Sequence, residues 1–237
     1  MFTVVIPAKN EAESLPRLLQ SIRAQTFQPK EVIVADAFST DATRDVAQKF
    51  GARVVDGGLP GPGRNRGASA ATTEFVVFLD ADVALSDPEA FEKAIGEMLE
   101  RRLDVATCDV LPLSRSGRDR FMHRAYNRYV RMCGSLMPHA PGFCLFVRRR
   151  VHEAIGGFDE TVTFCEDHDY ARRAAKAGAF GFLNSTSIPV SVRRFDRDGR
   201  VRTSLKFVLA ELHLAAIGPI RHELFRYTFG HKKFKER

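Results

Sequence analysis

Three polar clusters in this 237-residue sequence have the residue types and spacing to do chemistry. Asp80-Ala81-Asp82 follows the apolar run 75–79, FVVFL. Two carboxylates at i and i+2 on a turn past a buried strand can both reach one hard divalent cation, which also takes phosphate oxygens. The bare triplet is weak evidence, because Asp167/Asp169 and Asp196/Asp198 repeat it. The preceding strand is what sets Asp80 and Asp82 apart. Glu166-Asp167 stands where a helix is expected to begin. A carboxylate there is ordinarily a cap stabilised by the helix dipole. The same dipole lowers its pKa, leaving it ionised and able to take a proton from a hydroxyl nucleophile. Arg64-Asn65-Arg66 follows Gly57, Gly58, Gly61 and Gly63. Backbone N–H groups and a guanidinium at a helix start suit phosphate, and a solvated basic helix end has the same composition.

These clusters need elements to position them. Residues 2–6 form a short β-branched run stopped by Pro7, which predicts a buried strand. Leu15, Leu18, Leu19 and Ile22 repeat at helical spacing behind Ser14 and Pro16, predicting a capped amphipathic helix. Residues 31–35 predict the next strand, and Ser39-Thr40-Asp41 opens a helix with Val46, Ala47 and Phe50 on its apolar face. Residues 53–55 predict a third strand. The glycine turn then leads into a short helix at 64–71, residues 75–79 form a fourth strand, and a helix follows Asp87-Pro88 with Phe91, Ile95, Met98 and Leu99 on one face. This alternation predicts an α/β fold whose mostly parallel, Rossmann-like sheet is flanked by helices on both faces. Ligands of such sheets bind at the carboxyl ends of the strands. Lys9-Asn10-Glu11, Asp36, Asp80 and Asp82 all fall there.

The second half is less regular. A basic helix is expected at 119–133, a strand at 143–147, a helix at 166–174 and strand-like runs at 180–183 and 187–194. Residues 204–229 read as helical, ahead of the cationic tail 231–235. No linker divides the chain.

Lys and Arg total 36 against 29 Asp and Glu, a formal +7, which suits an anionic partner without choosing among nucleotide phosphates, an acidic membrane and nucleic acid. Cys108, Cys133, Cys144 and Cys165 form no CxxC pair and have no His at ligand spacing. That argues against a zinc or redox motif and for a reducing, cytoplasmic compartment. No signal peptide is expected from the N-terminal residues, and the apolar stretch 207–217 is too short to span a bilayer.

In order, VVIPAKNEAESLPRLLQSI, EVIVADAFSTDAT, GRNRGA, FLDADV, GFCLFVRR, GGFDE and EDHDYARRAAKAG resemble the inverting family 2 glycosyltransferases of the GT-A fold, over about three-quarters of the chain. The resemblance implies a GT-A domain over 1–200 with an amphipathic, basic helical tail over 201–237. It implies a nucleoside-diphosphate-sugar donor whose nucleotide pocket is lined by Pro7, Lys9, Asn10, Glu11 and Asp36, with Arg64 near base or diphosphate. Asp80 would face the ribose and the metal, Asp82 would ligate Mn2+ or Mg2+, and Asp167, preceded by Glu166, would be the catalytic base. Gly142 and Phe143 would border the acceptor. Three departures stand out. Ala37 replaces an acidic residue that contacts the nucleobase in many members, which leaves the base open. Phe38 stands where glycine is frequent, and His168 sits within the ED segment, both without expected consequence.

A base is needed for a hydroxyl acceptor, a lipid-linked sugar included, and not for an anionic polyprenyl phosphate, so Glu166-Asp167 favours the hydroxyl. Arg118, Arg120, Arg124, Arg128 and Arg131 interleave with Phe121, Met122, Tyr126, Tyr129 and Val130. The segment 207–226 repeats the pattern. Such helices can lie on an anionic membrane surface, at its inner face here, or simply pack with snorkelling arginines. A dehydrogenase would need GxGxxG after the first strand, and a nucleotidyltransferase a glycine-rich loop in the same place; the chain has Pro7-Ala8-Lys9-Asn10. A nucleic-acid-binding protein would use the basic helices but leave the acidic strand ends unexplained, so no nucleic acid is expected.

Overall fold

The computed structural model describes residues 1–134 and 137–222. β1 (Phe2–Ala8) lies between β2 (Glu31–Asp36) and β4 (Phe75–Leu79), parallel to both, and β3 (Arg53–Asp56) continues the sheet beyond β2. Both faces of β1 and β4 are covered, which is why their sequences are apolar without alternation. Val4, Ile6, Val77 and Leu79 pack with α1 (Leu15–Arg23) and α4 (Ala90–Glu100). Val5, Val76 and Phe78 face α3 (Pro60–Ala70) and α7 (Glu166–Ala177). α2 (Thr43–Lys49) packs against α1 and the β2–β3 edge.

The second half adds β5 (Val105–Pro112), α5 (Gly117–Cys133), β6 (Cys144–Arg148), α6 (Arg149–Ala154), β7 (Phe180–Val190), α8 (Arg193–Asp198) and α9 (Arg200–Ala216). The seven strands run in the order β3-β2-β1-β4-β6-β5-β7, and β6 is antiparallel to both its neighbours. The expected single α/β domain with a mostly parallel, helix-flanked sheet is therefore present.

Several local expectations are overturned. β1 runs on through Pro7, because the β4 ladder ends at Val5 opposite Phe78 and the N–H that proline lacks interrupts no bond on that side. α3 begins at Pro60 and takes in Gly61 and Gly63. A Cβ on Gly67 would come within 2.3 Å of Val5 Cγ1, so this helix needs small residues to lie close on the sheet. Neither Ser14 nor Ser39 caps a helix. Ser14 instead accepts a hydrogen bond from Arg193, and Asp41 receives the N–H of Thr43. Leu99 is exposed. β5 was not foreseen, because Thr107, Asp109 and Pro112 interrupt its apolar run. The two expected runs at 180–194 are one strand with a register shift opposite Thr107/Asp109, and residues 193–198 are helical. The C-terminal helix stops at Ala216, where Gly218 turns left-handed (φ 107°) before Pro219. Phe225, Arg226 and the tail 231–235 lie outside the described residues. α9 is fastened to the rest of the domain: Arg200 pairs with the buried Asp119 of α5, and Ala210 and Leu214 pack on Phe164 and Ile220.

Candidate active site

Parallel pairing brings the carboxyl ends of β1, β2 and β4 to one edge of the sheet. The loops there are laced together. Asn10, left-handed at φ 54°, donates its N–H to Ser39 Oγ at 2.8 Å, and its Oδ1 accepts from the Thr40 N–H at 2.8 Å. Asp36 is fully buried. Its Oδ2 accepts from the Ser39 N–H (3.1 Å) and from Arg44 (3.2 Å), while its Oδ1 has no hydrogen-bond partner among the described residues. Phe38 has φ 56°, which accounts for the glycine that resembling sequences favour there. Pro7 is buried against Gly63, and Lys9 is exposed.

Arg64 joins the acidic turn to the second carboxylate pair. It sits inside α3 rather than at a helix start, with its side chain only 3% exposed. Nη2 donates to Asp80 Oδ1 at 2.7 Å and Nη1 to Glu166 Oε1 at 2.8 Å, and the guanidinium lies over Phe158. Burial works against its charge, but Asp80, Glu166 and Asp167 outweigh that and hold the guanidinium firmly protonated. A Cβ on Gly142 would lie 2.6 Å from Arg64 Nη2, so the backbone passes the guanidinium where no larger side chain fits.

Gly142 also donates its N–H to Asp167 Oδ2 at 2.7 Å, and Asp167 Oδ1 accepts the His168 N–H at 2.9 Å. Each oxygen keeps a lone pair for an incoming proton. The residue before the pair, Cys165, is left-handed at φ 57°, a strained conformation at the mouth of α7. The helix-dipole expectation fails for Glu166. Burial, then the charge of Asp167, push its pKa up, and Arg64 only partly opposes them. His168 is buried, and its pKa is raised because the carboxylates of Asp167 and Glu211 outweigh the desolvation that would lower it.

Asp82 Oδ2 lies 3.0 Å from Arg193 Nε, and the same guanidinium holds Glu11 at 2.5 and 2.7 Å. Burial, reinforced by the charges of Asp80 and Glu11, pushes the Asp82 carboxyl up to about 6, with Arg193 working in the opposite direction. Arg193 was missed by sequence reasoning, which placed it at the end of a strand. The paired arginines directly after β7 were the available signal. Phe143 is half-buried on the core beside Gly142.

The pattern of glycosyl transferase family 2 matches residues 3–156, well over half of the chain. The chain belongs to glycosyl transferase family 2. Relatives include the O-antigen chain rhamnosyltransferase WbaN of Salmonella anatum, 27% identical over 199 residues covering 75% of this chain and 61% of the relative. The 4,4'-diaponeurosporenoate glycosyltransferase of Staphylococcus haemolyticus is 35% identical over 102 residues, covering 39% of this chain and 27% of the relative. This family 2 chain thus spans less than two thirds of the length of either. Among solved structures, the mannosyltransferase PcManGT of Pyrobaculum calidifontis, in complex with GDP-Man and Mn2+, superposes with a TM-score of 0.68 at 21% identity over 89% of this chain and 63% of that one. S. aureus TarS 1–349 with UDP-GlcNAc gives 0.65 at 23% identity over 80% and 58%. The fold is that of these GT-A proteins. Among the described residues no helix is long and apolar enough to cross a membrane.

Proposed function

We propose that this chain is a metal-dependent inverting glycosyltransferase that moves a sugar from a nucleoside-diphosphate sugar to an acceptor hydroxyl. The observation that carries the reading is the Arg64 bridge, which sets Asp80 and Glu166, and with it Asp167, around one guanidinium. Family membership and the names of the relatives agree with it. Asp36 Oδ1, buried and without a hydrogen-bond partner among the described residues, could take a nucleobase N–H if the donor opens the site, and Asn10 and Glu11 are tied beside it to the loop after β2.

The residues present fit a hard divalent cation. Asp80 and Asp82 supply oxygen donors, one oxygen of each facing a guanidinium, that of Arg64 and that of Arg193, and burial raises the Asp82 carboxyl, an effect a bound cation would reverse. Mn2+ or Mg2+ held there would neutralise charge growing on the diphosphate leaving group. Asp167 takes the proton of the acceptor hydroxyl as its oxygen attacks the anomeric carbon from the face opposite the diphosphate, so configuration inverts. Gly142 holds Asp167 in place, and Phe143 borders the acceptor. Glu166, engaged by Arg64, positions rather than reacts.

A thermal-shift screen of nucleoside-diphosphate sugars tests donor and metal together. One donor should raise Tm with Mn2+ and lose that effect when a chelator is added. No shift with any donor would sink the reading.

The acceptor is proposed to be lipid-linked, at an anionic membrane surface. Val201, Leu205, Val208 and Leu212 recur on one face of α9 and are 55–83% exposed, and Phe121 of α5 is exposed among Arg118, Arg120 and Arg124. The chain should sediment with vesicles rich in anionic lipid at moderate salt, and Leu205→Glu with Leu212→Glu should release it. A wild-type protein that stays in the supernatant would remove the membrane from the account.

A further inference from the structure

Beside Asp167, whose Oδ1 lies 3.9 Å from His168 Nε2, two imidazoles meet one carboxylate. His139 precedes the Gly142 turn, His168 follows Asp167 on α7, and Glu211 reaches in from α9. One ligand atom from each lies within 4.8 Å of the others, His139 is fully buried and His168 nearly so. His139 Nδ1 is 2.5 Å from the Met137 carbonyl oxygen. A carbonyl only accepts, so Nδ1 carries the proton. Nε2, 2.7 Å from Glu211 Oε2, therefore presents either a second proton or a bare lone pair.

His168 Nδ1 is in direct contact with Glu211 Oε1, so one carboxylate faces both imidazoles with an oxygen to each. His168 can donate to Glu211 as its neutral Nδ1–H tautomer, but His139, whose Nδ1 proton faces the Met137 carbonyl, can donate from Nε2 only as a buried imidazolium. A divalent cation among the three groups would take the His139 Nε2 lone pair instead and leave both rings neutral.

We propose that His139, His168 and Glu211 form a second metal site, suited to Zn2+, separate from the carboxylates of Asp80 and Asp82. Two imidazole nitrogens and one carboxylate oxygen match zinc's preferences, whereas an all-oxygen set suits manganese or magnesium. Tetrahedral zinc ligands stand about 3.3 Å apart at the usual bond lengths, so the 2.7 Å His139–Glu211 contact has to open slightly and any separation near the 4.8 Å limit has to close by about 1.5 Å. One outer partner is in place: the Met137 carbonyl fixes the His139 tautomer, while Arg172 Nη2 stands 3.6 Å from Glu211 Oε2 without a hydrogen bond. The ion would pin the two backbone segments whose N–H groups bind Asp167, at Gly142 and His168, to α9. The sequence expectation of no zinc site rested on cysteine and histidine spacing; these ligands come from three distant segments. The site does not depend on the transferase reading.

The test is the zinc content of the full chain purified from zinc-supplemented medium and dialysed against metal-free buffer, with no activity readout needed. About one zinc per chain is expected. It should persist in the Asp80→Asn/Asp82→Asn double variant and fall at least tenfold in Glu211→Gln, a near-isosteric change whose folding is checked by circular dichroism. Cobalt added to metal-free wild type should give the visible absorption of a tetrahedral site, a readout that needs no variant. Wild-type protein without zinc and without that cobalt spectrum would overturn the site. So would a folded Glu211→Gln that keeps its zinc.

Discussion

Asp167→Asn should lower turnover by about 10²–10⁴-fold, the usual contribution of a general base, while the donor dissociation constant stays within about twofold of wild type. The asparagine keeps the volume and one carbonyl oxygen, so it can still accept from either Gly142 or His168. It turns an NH2 toward the other N–H, a modest cost that should appear as a small drop in Tm. What it cannot do is take the acceptor's proton. The split between turnover and donor affinity is the informative readout, because damage to the nucleotide pocket would move both. Glu166→Gln is the control. Glu166 is engaged with Arg64 and acts through geometry, so its loss should be smaller and should include donor affinity. Equal turnover in Asp167→Asn and wild type, measured with saturating donor and acceptor, would remove Asp167 as the base.

The parallel half of the fold was legible because β1, β2 and β4 are buried on both faces, and burial writes itself into sequence as unbroken apolar runs ended by polar residues. The carboxylates after those runs were placed correctly at the sheet edge because strand direction fixes which end is which. The second half hides its order for physical reasons. β5 carries Asp109 because Arg131 pairs with it, and such local pairing erases the apolar pattern. The glycines of α3 look like a turn, yet they are there to let the helix approach Val5. Arg193 and Glu211 could not be found by spacing at all. Each meets its partners, Glu11 and Asp82 in one case and His139 and His168 in the other, only after the chain has closed on itself. His168 looked like a neutral departure for the same reason.

Arg64→Ala should be the most destabilising change in the site, lowering Tm as well as activity. The guanidinium is almost fully buried and is shared by Asp80 and Glu166, with Asp167 close enough to add to its charge. Removing it leaves carboxylates gathered in a poorly solvated place. Breaking one partner of a buried ion pair costs about 3–5 kcal/mol, and in a domain of this size each kcal/mol moves Tm by about 2–4 °C. The side chain of Asp80 is 36% exposed and water screens that arm, whereas Glu166 is 18% exposed and is not so relieved, so the lower end of that range applies. A fall of about 6–12 °C follows. Arg64→Lys should recover little, because a single ammonium cannot span two carboxylates that the planar fork reaches with separate nitrogens. Adding Glu166→Gln to Arg64→Ala should restore part of the loss, since it removes the charge left most deeply unpaired, and that recovery separates electrostatics from simple loss of packing against Phe158. If Arg64→Ala melted at the wild-type temperature, or if the second substitution deepened the loss, the guanidinium would not be what binds the acidic turn to Glu166-Asp167.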